Sequence, residues 1–336
     1  MKRLKLPILC LLVICLWSCN SQVEKINGVS FVASRGTVDE SHIKPVVAVN
    51  ANYAAIMPFG FIRNIENPEI IFNTERQWFG ERRDGAKQYI EALRAQNIKV
   101  MLKPQIWIGR GDFTGYMDMK TEEEWKVLEE SYSRFILEYA DLAEEIKVPI
   151  LCIGTELEKF IDRRPEYWNT LITNIKKIYT GKLTYAANWD EFKRTPFWGQ
   201  LDFIGLDAYF PVCELQTPTY ETSMKGWEKH KPVIKELSEK YNKPVLFTEF
   251  GYRSVDYAGK QPWRYDRSMD QVNMEAQVNT TKALFETFWK EEWFAGGFVW
   301  KWFIDHNKVG GMDNSQFTPQ NKPAEDIIRQ YYKQTG

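Results

Sequence analysis

The sequence predicts a single (β/α)8 TIM barrel. Strand-like apolar runs alternate with amphipathic helical segments, and eight such strands can be counted along the chain. One strand, Val148–Ile153, is an unbroken apolar run, as expected for a parallel sheet that is covered on both faces. The 336 residues suffice for one barrel with a large core. A doubly wound open sheet is the alternative, but no glycine-rich nucleotide-binding loop follows the first strand.

The first half of the chain is predicted to contain four strands and three helices. The helix from Gly85 has its apolar residues at three- and four-residue spacing, and Thr121 with Glu124 forms a capping box before another helix. The strands are Gly28–Ala33, Tyr53–Ile62, Ile98–Ile108 and the apolar run that begins at Val148. The helices are Glu40–Asn50, Gly85–Gln96 and Glu122–Ile146, and Glu69–Asp84 is expected to be a loop.

The second half continues the same alternation and supplies the other four strands. One of its helices has Pro165 in the first turn, where a proline is tolerated. The strands are Lys182–Trp189, Leu201–Val212, Lys243–Tyr252 and Ala295–Phe303. The helices are Pro165–Tyr179, Met224–Tyr241, Gln271–Glu291 and Ala324–Tyr332. No linker or repeat divides these elements, so residues 27–336 are expected to form one domain.

The N-terminus resembles a bacterial lipoprotein signal. A positively charged start, Met1–Lys5, precedes the apolar stretch Leu6–Trp17, which is too short to span a bilayer. Residues 1–19 are therefore predicted to be a signal peptide that ends at a lipidated Cys19, followed by a tether over residues 20–26. This predicts a protein held by a lipid anchor at the periplasmic or outer side of a bacterial membrane. An ordinary secretory signal with an incidental cysteine is the alternative.

Composition restricts the possible partners. The net charge of −1 offers no basic surface for nucleic acid, and a monomer is expected. Cys152 and Cys213 remain after the signal and are expected to be buried, which leaves no disulfide framework. The three histidines, His42, His230 and His306, are widely spaced, so neither a metal site nor a Ser-His-Asp site is predicted. We expect no metal and no cofactor.

Two glutamates at strand ends are the strongest functional signal. Glu156 follows the apolar run from Val148, and Glu249 lies near the end of Lys243–Tyr252. In a barrel of parallel strands, the carboxyl ends of the strands form the active site. Glu158 is a second candidate on the first of these strands. The alternative interpretation is that each glutamate pairs with a basic residue at the rim.

Side chains alternate along a strand, so this periodicity predicts which residues face the barrel interior. Glu156 is expected to share its inward face with Gly154 and Cys152. The other inward side chains near the mouth are predicted to be Lys103, Gln105, Trp107, Asp207 and Tyr209. Polar and aromatic groups would thus collect at one end of the barrel, which a purely structural barrel does not require.

Paired carboxylates of this kind suit glycoside hydrolysis. One carboxylic acid protonates the leaving oxygen, and a second carboxylate attacks the anomeric carbon or activates water. In retaining enzymes the two lie about 5–5.5 Å apart, a distance that two strand ends can span across a barrel mouth. Tyr209 or Arg63 is expected to supply the hydrogen bond or positive charge that keeps Glu249 ionised.

Five segments, taken in order, resemble glycoside hydrolase family 113 of clan A, known for β-1,4-mannanases. They are LKPQIW, CIGTELEKF, IGLDAYFP, FTEFGYRS and VWKWF. The resemblance implies that Glu156 is the acid/base and Glu249 the nucleophile. The chain departs from the pattern at Thr155, where many clan A enzymes have Asn, and at Gln105, where relatives often have His. Asn188 is therefore our candidate for the contact with the sugar 2-hydroxyl.

Aromatic residues near the strand ends are candidate sugar-binding surfaces, since the C–H face of a sugar packs on aromatic rings. Trp300 and Trp302 are predicted to share one face, and the resemblance implies that one of them lies under the sugar at the cleavage site. Trp107 and Trp189 are further candidates, with core packing as the alternative for each. Asp207 is expected to bind a sugar hydroxyl or to form an ion pair with Lys103. The Tyr257–Asp270 segment is expected to be a loop above the mouth.

The expected function is retaining hydrolysis of β-1,4-mannan or manno-oligosaccharides, with an oligosaccharide or polysaccharide as the partner. A hydrolase with the same mechanism on another β-linked glycan remains possible. So does a surface lipoprotein that binds glycans without cleaving them. A barrel hydrolase of different chemistry, such as a metal-dependent deacetylase, is the third alternative.

Overall fold

The computed structural model describes residues 24–264 and 271–335. Ten strands lie within these ranges. They are β1 Ile26–Phe31, β2 Tyr53–Ile56, β3 Phe59–Ile62, β4 Lys99–Leu102, β5 Gln105–Ile108, β6 Ile150–Thr155, β7 Lys182–Asn188, β8 Ile204–Asp207, β9 Val245–Phe250 and β10 Phe294–Trp302. The predicted signal peptide and Cys19 lie outside the described residues. The first strand begins at Ile26, the last residue of the predicted tether.

Eight of these strands form a closed parallel barrel, which confirms the predicted (β/α)8 fold. The order around the barrel is β1, β2, β4, β6, β7, β8, β9 and β10, and β10 pairs with β1 to close it. The carboxyl ends of all eight strands therefore meet at one mouth, where the active site of such a barrel lies.

The second and third predicted strands are each divided in two by a proline. Pro58 separates β2 from β3, and Pro104 separates β4 from β5, because proline has no N–H to donate to a strand ladder. Beyond these breaks, β3 and β5 form a separate two-stranded sheet, from Phe59 with Gln105 to Ile62 with Ile108, and Phe61 of β3 also forms an antiparallel bridge with Ile71. This parallel pair extends the barrel wall past its mouth and places Gln105 above the eight-stranded ring.

The helices lie between the strands as predicted, with differences at several boundaries. They are α1 Glu40–Ala48, α2 Arg83–Ala95, α3 Glu122–Glu145, α4 Glu158–Arg163, α5 Pro165–Ile178, α6 Tyr220–Trp227, α7 Lys231–Tyr241, α8 Met274–Phe288 and α9 Pro323–Thr335. The segment predicted as one helix from Met224 to Tyr241 is two helices, since Pro232 fits only the first turn of a helix and starts α7. In the described part of the chain, no helix has the length and apolarity needed to cross a membrane.

Two layers of buried side chains fill the domain. The outer layer lies between strands and helices and contains most of the aromatic core. The inner layer is a single cluster that fills the barrel, and nearly every barrel strand contributes a residue to it. Its members are Ile26, Ala55, Met101, Ile150, Cys152, Ala186, Phe203, Leu246 and Phe298. Since apolar side chains fill this cluster, the polar groups that follow it along the strands are held at the mouth.

Candidate active site

Glu249, near the end of β9, is held by three hydrogen-bond donors. Its Oε1 accepts hydrogen bonds from Lys103 Nζ at 2.5 Å and from Gln105 Nε2 at 2.9 Å. Its Oε2 accepts from the hydroxyl of Tyr209 at 2.8 Å. Both oxygens are thereby fixed in direction, and the adjacent ammonium stabilises the ionised carboxylate.

Lys103 also contacts a second buried carboxylate, that of Asp207. The distance from Lys103 Nζ to Asp207 Oδ1 is 3.2 Å, and Thr248 Oγ1 donates to the same oxygen at 2.7 Å. Burial alone would lower the pKa of Lys103, but the carboxylates of Asp207 and Glu249 outweigh it and raise the pKa. Burial and the charge of Glu249 raise the pKa of Asp207 to about 7, with Lys103 acting in the opposite direction. The Lys103 ammonium thus forms ion pairs with two buried carboxyl groups.

These contacts settle where several of the predicted side chains point. Lys103, Gln105, Asp207 and Tyr209 all face the mouth, as the strand alternation predicted. Of the two roles considered for Asp207, the ion pair with Lys103 is present in the structure. Lys103 is 0% exposed and Asp207 is 1% exposed, so neither has surface available for a sugar. The structure therefore favours support of Glu249 over the predicted sugar contact for these two residues.

Glu156 is the first residue after β6, and its backbone is in the left-handed region. Its φ of 51° is uncommon for a residue with a Cβ, and such strain persists only where neighbouring contacts hold it. The N–H of Glu156 donates to the carbonyl of Ala186 at 2.8 Å. Its own carbonyl accepts from the hydroxyl of Thr114 at 3.1 Å. Its half-buried side chain therefore starts from a fixed backbone.

The environment of Glu156 favours its protonated form. Burial raises the pKa of its carboxyl well above the usual value, and the charges of Asp207 and Glu249 raise it further. Lys103 acts in the opposite direction but does not cancel these effects. Two glutamates at one mouth thus have different surroundings: Glu249 accepts three hydrogen bonds, one of them from an ammonium, whereas burial and neighbouring negative charge raise the pKa of Glu156.

The predicted inward face of β6 is wrong at Gly154. The pairing of β6 with β7 shifts by one residue within the strand: Cys152 pairs with Thr184 and Thr155 with Ala186. A Cβ built on Gly154 would meet three side chains of the outer layer, those of Tyr132, Trp168 and Tyr185. Cys152 faces inward as predicted, so the alternation breaks between Cys152 and Glu156. This irregularity changes the direction of the strand end just before Glu156.

Two other predicted candidates lie away from this centre. Arg63 follows β3, is exposed, and makes no contact with Glu249, so its predicted supporting role is wrong. The separation of β3 from the barrel after Pro58 explains its position, and Lys103 supplies the positive charge instead. Glu158 is the first residue of α4 and forms an ion pair with Arg194.

The prediction that Trp300 and Trp302 share a face is also wrong. Trp302 is fully buried in the outer layer, with its ring centroid 5.6 Å from that of His306, whereas Trp300 is partly exposed. The register of β1 and β10 shifts here, with Val29 opposite Val299 and Phe31 opposite Trp302. A cis peptide bond joins Trp300 to Lys301. Of the two, Trp300 remains the candidate surface for a sugar.

Further aromatic side chains lie on the loops and strand extension at the mouth. Trp189 stacks on Trp263, with ring centroids 4.9 Å apart and planes inclined by 22°. Trp263 is 42% exposed and belongs to the loop predicted above the mouth, of which residues 265–270 lie outside the described ranges. Trp107 on β5 is 53% exposed. Asn188 accepts the N–H of Trp189 at 2.8 Å through its side-chain oxygen, and its predicted contact with a 2-hydroxyl remains a prediction.

Sequence reasoning missed some of the groups that surround Glu249. Thr248 orients Asp207, and Lys301 lies with its ammonium 5.5 Å from the ring centroid of Trp300. Burial lowers the pKa of Lys301, while the charge of Glu249 opposes this shift. Thr248 directly precedes Glu249, and Lys301 lies between Trp300 and Trp302. In the described chain no group of three His, Cys, Asp or Glu side chains is arranged to hold a metal ion.

These features are those of a glycoside hydrolase. The fold is a parallel barrel, its mouth holds one carboxylic acid and one ion-paired carboxylate, and exposed tryptophans lie nearby. The family follows from comparison with known proteins. Residues 30–322 match the model of Glycoside Hydrolase Family 113, and the chain belongs to this family.

Solved structures show the same fold. The β-mannanase AaManA of family 113 from Alicyclobacillus acidocaldarius, in complex with ManMIm, superposes with a TM-score of 0.81 at 24% identity over 93% of this chain and 98% of that one. A β-1,4-mannanase of family 113 gives a TM-score of 0.79 at 22% identity over 92% and 99%. A β-glucuronidase from Faecalibacterium prausnitzii gives a TM-score of 0.62 at 16% identity, over 93% of this chain and 49% of that one. A comparison with curated proteins finds no match.

The shared cation makes Lys103→Met a sharp test of this site. The change should lower the free energy of unfolding by about 3–5 kcal/mol, because it leaves two buried carboxylates without their cation. Denaturant unfolding of both variants measures this cost. Lys99→Met, at the start of the strand that ends just before Lys103, is the matched control, since it removes an exposed pair with Glu24 and should cost at most about 1 kcal/mol. Equal unfolding free energies for the two variants would contradict the role of Lys103.

Proposed function

We propose that this protein cleaves β-1,4-linked mannan or manno-oligosaccharides with retention of configuration, with Glu249 as nucleophile and Glu156 as acid/base. The observation that carries the proposal is the contrast between the two glutamates. Three donors hold Glu249 as a carboxylate, whereas burial and neighbouring negative charge favour the protonated form of Glu156. Retaining glycosidases require this combination in the resting enzyme.

The reaction would take place in two displacements. In the first, a Glu249 oxygen attacks the anomeric carbon while Glu156 gives its proton to the leaving glycosidic oxygen. In the second, Glu156, now a carboxylate, removes a proton from water, which attacks the same carbon and releases Glu249. Each attack inverts the configuration, so the product retains the configuration of the substrate.

Lys103, Gln105 and Tyr209 support the first displacement by orienting Glu249. Their bonds direct both carboxylate oxygens, so attack requires no rearrangement of this side chain. When Glu249 forms the glycosyl ester, its negative charge is lost, and with it one of the effects that raise the pKa of Glu156. The acid/base is thereby better suited to remain a carboxylate for the second step.

Mannan as the substrate is supported by family membership and by the names of the structural neighbours, which are β-mannanases. Exposed Trp107 and the stacked pair of Trp189 and Trp263 are the aromatic surfaces that a chain of sugar rings would use. Asn188 and Trp300 complete the set of proposed substrate contacts at the mouth.

A panel of β-1,4-linked manno-, gluco- and xylo-oligosaccharides of equal length tests the proposal. We expect cleavage of the manno-oligosaccharides first, with the β-anomer as the initial product in time-resolved NMR. Cleavage of only the gluco- or xylo-series would overturn the substrate assignment and leave the mechanism standing. Initial release of the α-anomer would overturn the retaining mechanism. Binding without cleavage of any compound would favour a glycan-binding protein.

A further inference from the structure

We propose that Glu191 is a positioning residue that holds the acid/base Glu156 in its working orientation through the hydroxyl of Tyr185. The inference rests on the proposed function, since it concerns the group assigned there as acid/base. Glu191 lies in the loop after β7, three residues beyond Asn188, and only 2% of it is exposed. A buried carboxyl outside the catalytic pair requires a structural explanation, because burial of an ionisable group is costly.

The first link of this arrangement joins Glu191 to Tyr185. Glu191 Oε1 accepts from the Tyr185 hydroxyl at 2.7 Å, and Oε2 accepts from the backbone N–H of Asn188 at 3.1 Å. Both partners are donors, so each oxygen of Glu191 acts as an acceptor, and burial raises the pKa of this carboxyl to about 8. Tyr185 itself is fully buried in the outer layer, where its ring packs against Trp168 of α5.

The second link joins Tyr185 to the backbone of Glu156. The Tyr185 hydroxyl accepts the N–H of Leu157 at 2.6 Å, and Leu157 directly follows Glu156. This N–H belongs to the same planar peptide unit as the carbonyl of Glu156, which accepts from Thr114 Oγ1 at 3.1 Å. Tyr185 and Thr114 therefore hold the two ends of one peptide unit.

Together these bonds fix both backbone dihedrals of the acid/base. The N–H of Glu156 is bound to the carbonyl of Ala186 at 2.8 Å, which restricts the rotation before Cα, and the held peptide unit restricts the rotation after it. The left-handed conformation of Glu156, with φ at 51°, needs such contacts to persist. Because Tyr185 accepts from Leu157, its own proton needs another acceptor, and Glu191 provides it.

Glutamine at position 191 keeps the size of the side chain but cannot keep both bonds. Its amide has one acceptor atom and one donor group, whereas Tyr185 and Asn188 both present donors. In either orientation of the amide, one of these two donors, the Tyr185 O–H or the Asn188 N–H, loses its acceptor. Tyr185→Phe removes the same link from the other side. If Glu191 and Tyr185 act through one series of hydrogen bonds, the double variant should lose little more kcat/KM than either single variant.

A leaving-group comparison tests the proposal, because a displaced acid/base slows only reactions that need its proton. The substrates are two aryl glycosides of the sugar that the panel shows to be cleaved, one with 2,4-dinitrophenolate and one with unsubstituted phenolate. We expect Glu191→Gln and Tyr185→Phe to lower kcat/KM for the phenyl glycoside by about tenfold or more and to leave that for the dinitrophenyl glycoside within about twofold.

Glu325→Gln is the matched control. Glu325 is a buried glutamate in the first turn of α9 that accepts hydrogen bonds from Arg329 and from the N–H of Asn321 and also contacts His306, and none of these contacts involves Glu156 or Tyr185. This variant should show the wild-type ratio of the two kcat/KM values. Thermal unfolding of all variants identifies any loss of folded protein, which would lower both rates equally.

Equal losses on both substrates, or no loss on either, would overturn the positioning role of Glu191. If the losses of kcat/KM in the double variant are additive, Glu191 and Tyr185 do not act through one series of hydrogen bonds. Glu156→Ala is measured beside them. If that variant shows no dependence on the leaving group, the assignment of Glu156 as acid/base fails, and this failure is distinct from a failure of the Glu191 proposal.

Discussion

Replacing Glu249 by alanine is expected to lower kcat/KM by about 10⁴-fold or more, as loss of a nucleophile does in other enzymes that act through a covalent intermediate. No other side chain can take over the attack from the same place, because the position is defined by Lys103, Gln105 and Tyr209 around the two oxygens of Glu249. Initial rates on the oligosaccharide cleaved best by the wild type measure the loss.

Azide separates the loss of a nucleophile from a general disruption of the site. A small anion can enter the space vacated in Glu249→Ala, beside the ammonium of Lys103, and attack the anomeric carbon in a single displacement. A β-linked substrate should then give the α-glycosyl azide and a partly restored rate. Glu249→Gln is the control, since its side chain fills the space, and it should not be rescued. Full activity of Glu249→Ala without azide would contradict the nucleophile assignment.

Replacing Glu156 by alanine is expected to have the second-largest effect, and its size should depend on the leaving group. Loss of general acid catalysis should lower kcat/KM by about 10²–10⁴-fold for natural oligosaccharides, whose leaving alkoxide needs a proton. The dinitrophenyl glycoside needs none, so its first displacement should be nearly unchanged. The second displacement still lacks its base, and the glycosyl-enzyme should accumulate in a pre-steady-state burst.

The product formed with azide distinguishes this variant from the previous one. In Glu156→Ala, azide should attack the glycosyl-enzyme on the face where water normally enters and give the β-glycosyl azide. The two alanine variants would thus yield opposite anomers from the same substrate. An α-glycosyl azide from Glu156→Ala, or equal losses for both aryl leaving groups, would contradict its assignment as acid/base.

Alternation along the strands made much of this site predictable from sequence. Lys103 and Gln105 face the same side although Pro104 ends the strand between them, and Asp207 and Tyr209 converge on Glu249 as the alternation predicted. The positions where prediction failed coincide with shifts of register. At Gly154 and at Trp302 an extra residue interrupts the pairing with the neighbouring strand, and alternation no longer gives the direction of the side chain.

The other features that the sequence did not predict depend on contacts between segments far apart in the chain. Arg63 was predicted as a cation for Glu249, but the break at Pro58 separates β3 from the barrel, and Arg63 directly follows β3. The importance of Glu191 depends on a tyrosine hydroxyl and on the N–H of Leu157, which are brought together only by the packing of β6 against β7. No local pattern in the sequence signals such a contact.

The most direct measurement is the identity of the residue that carries the covalent intermediate. A 2-deoxy-2-fluoro derivative of the cleaved oligosaccharide, with an activated leaving group, slows the second displacement so that the glycosyl-enzyme can be digested and sequenced by mass spectrometry. We predict one adduct, on Glu249, and none on Glu249→Gln treated in the same way. An adduct on a different residue, or hydrolysis of this reagent without any adduct and with inversion at the anomeric carbon, would contradict the account.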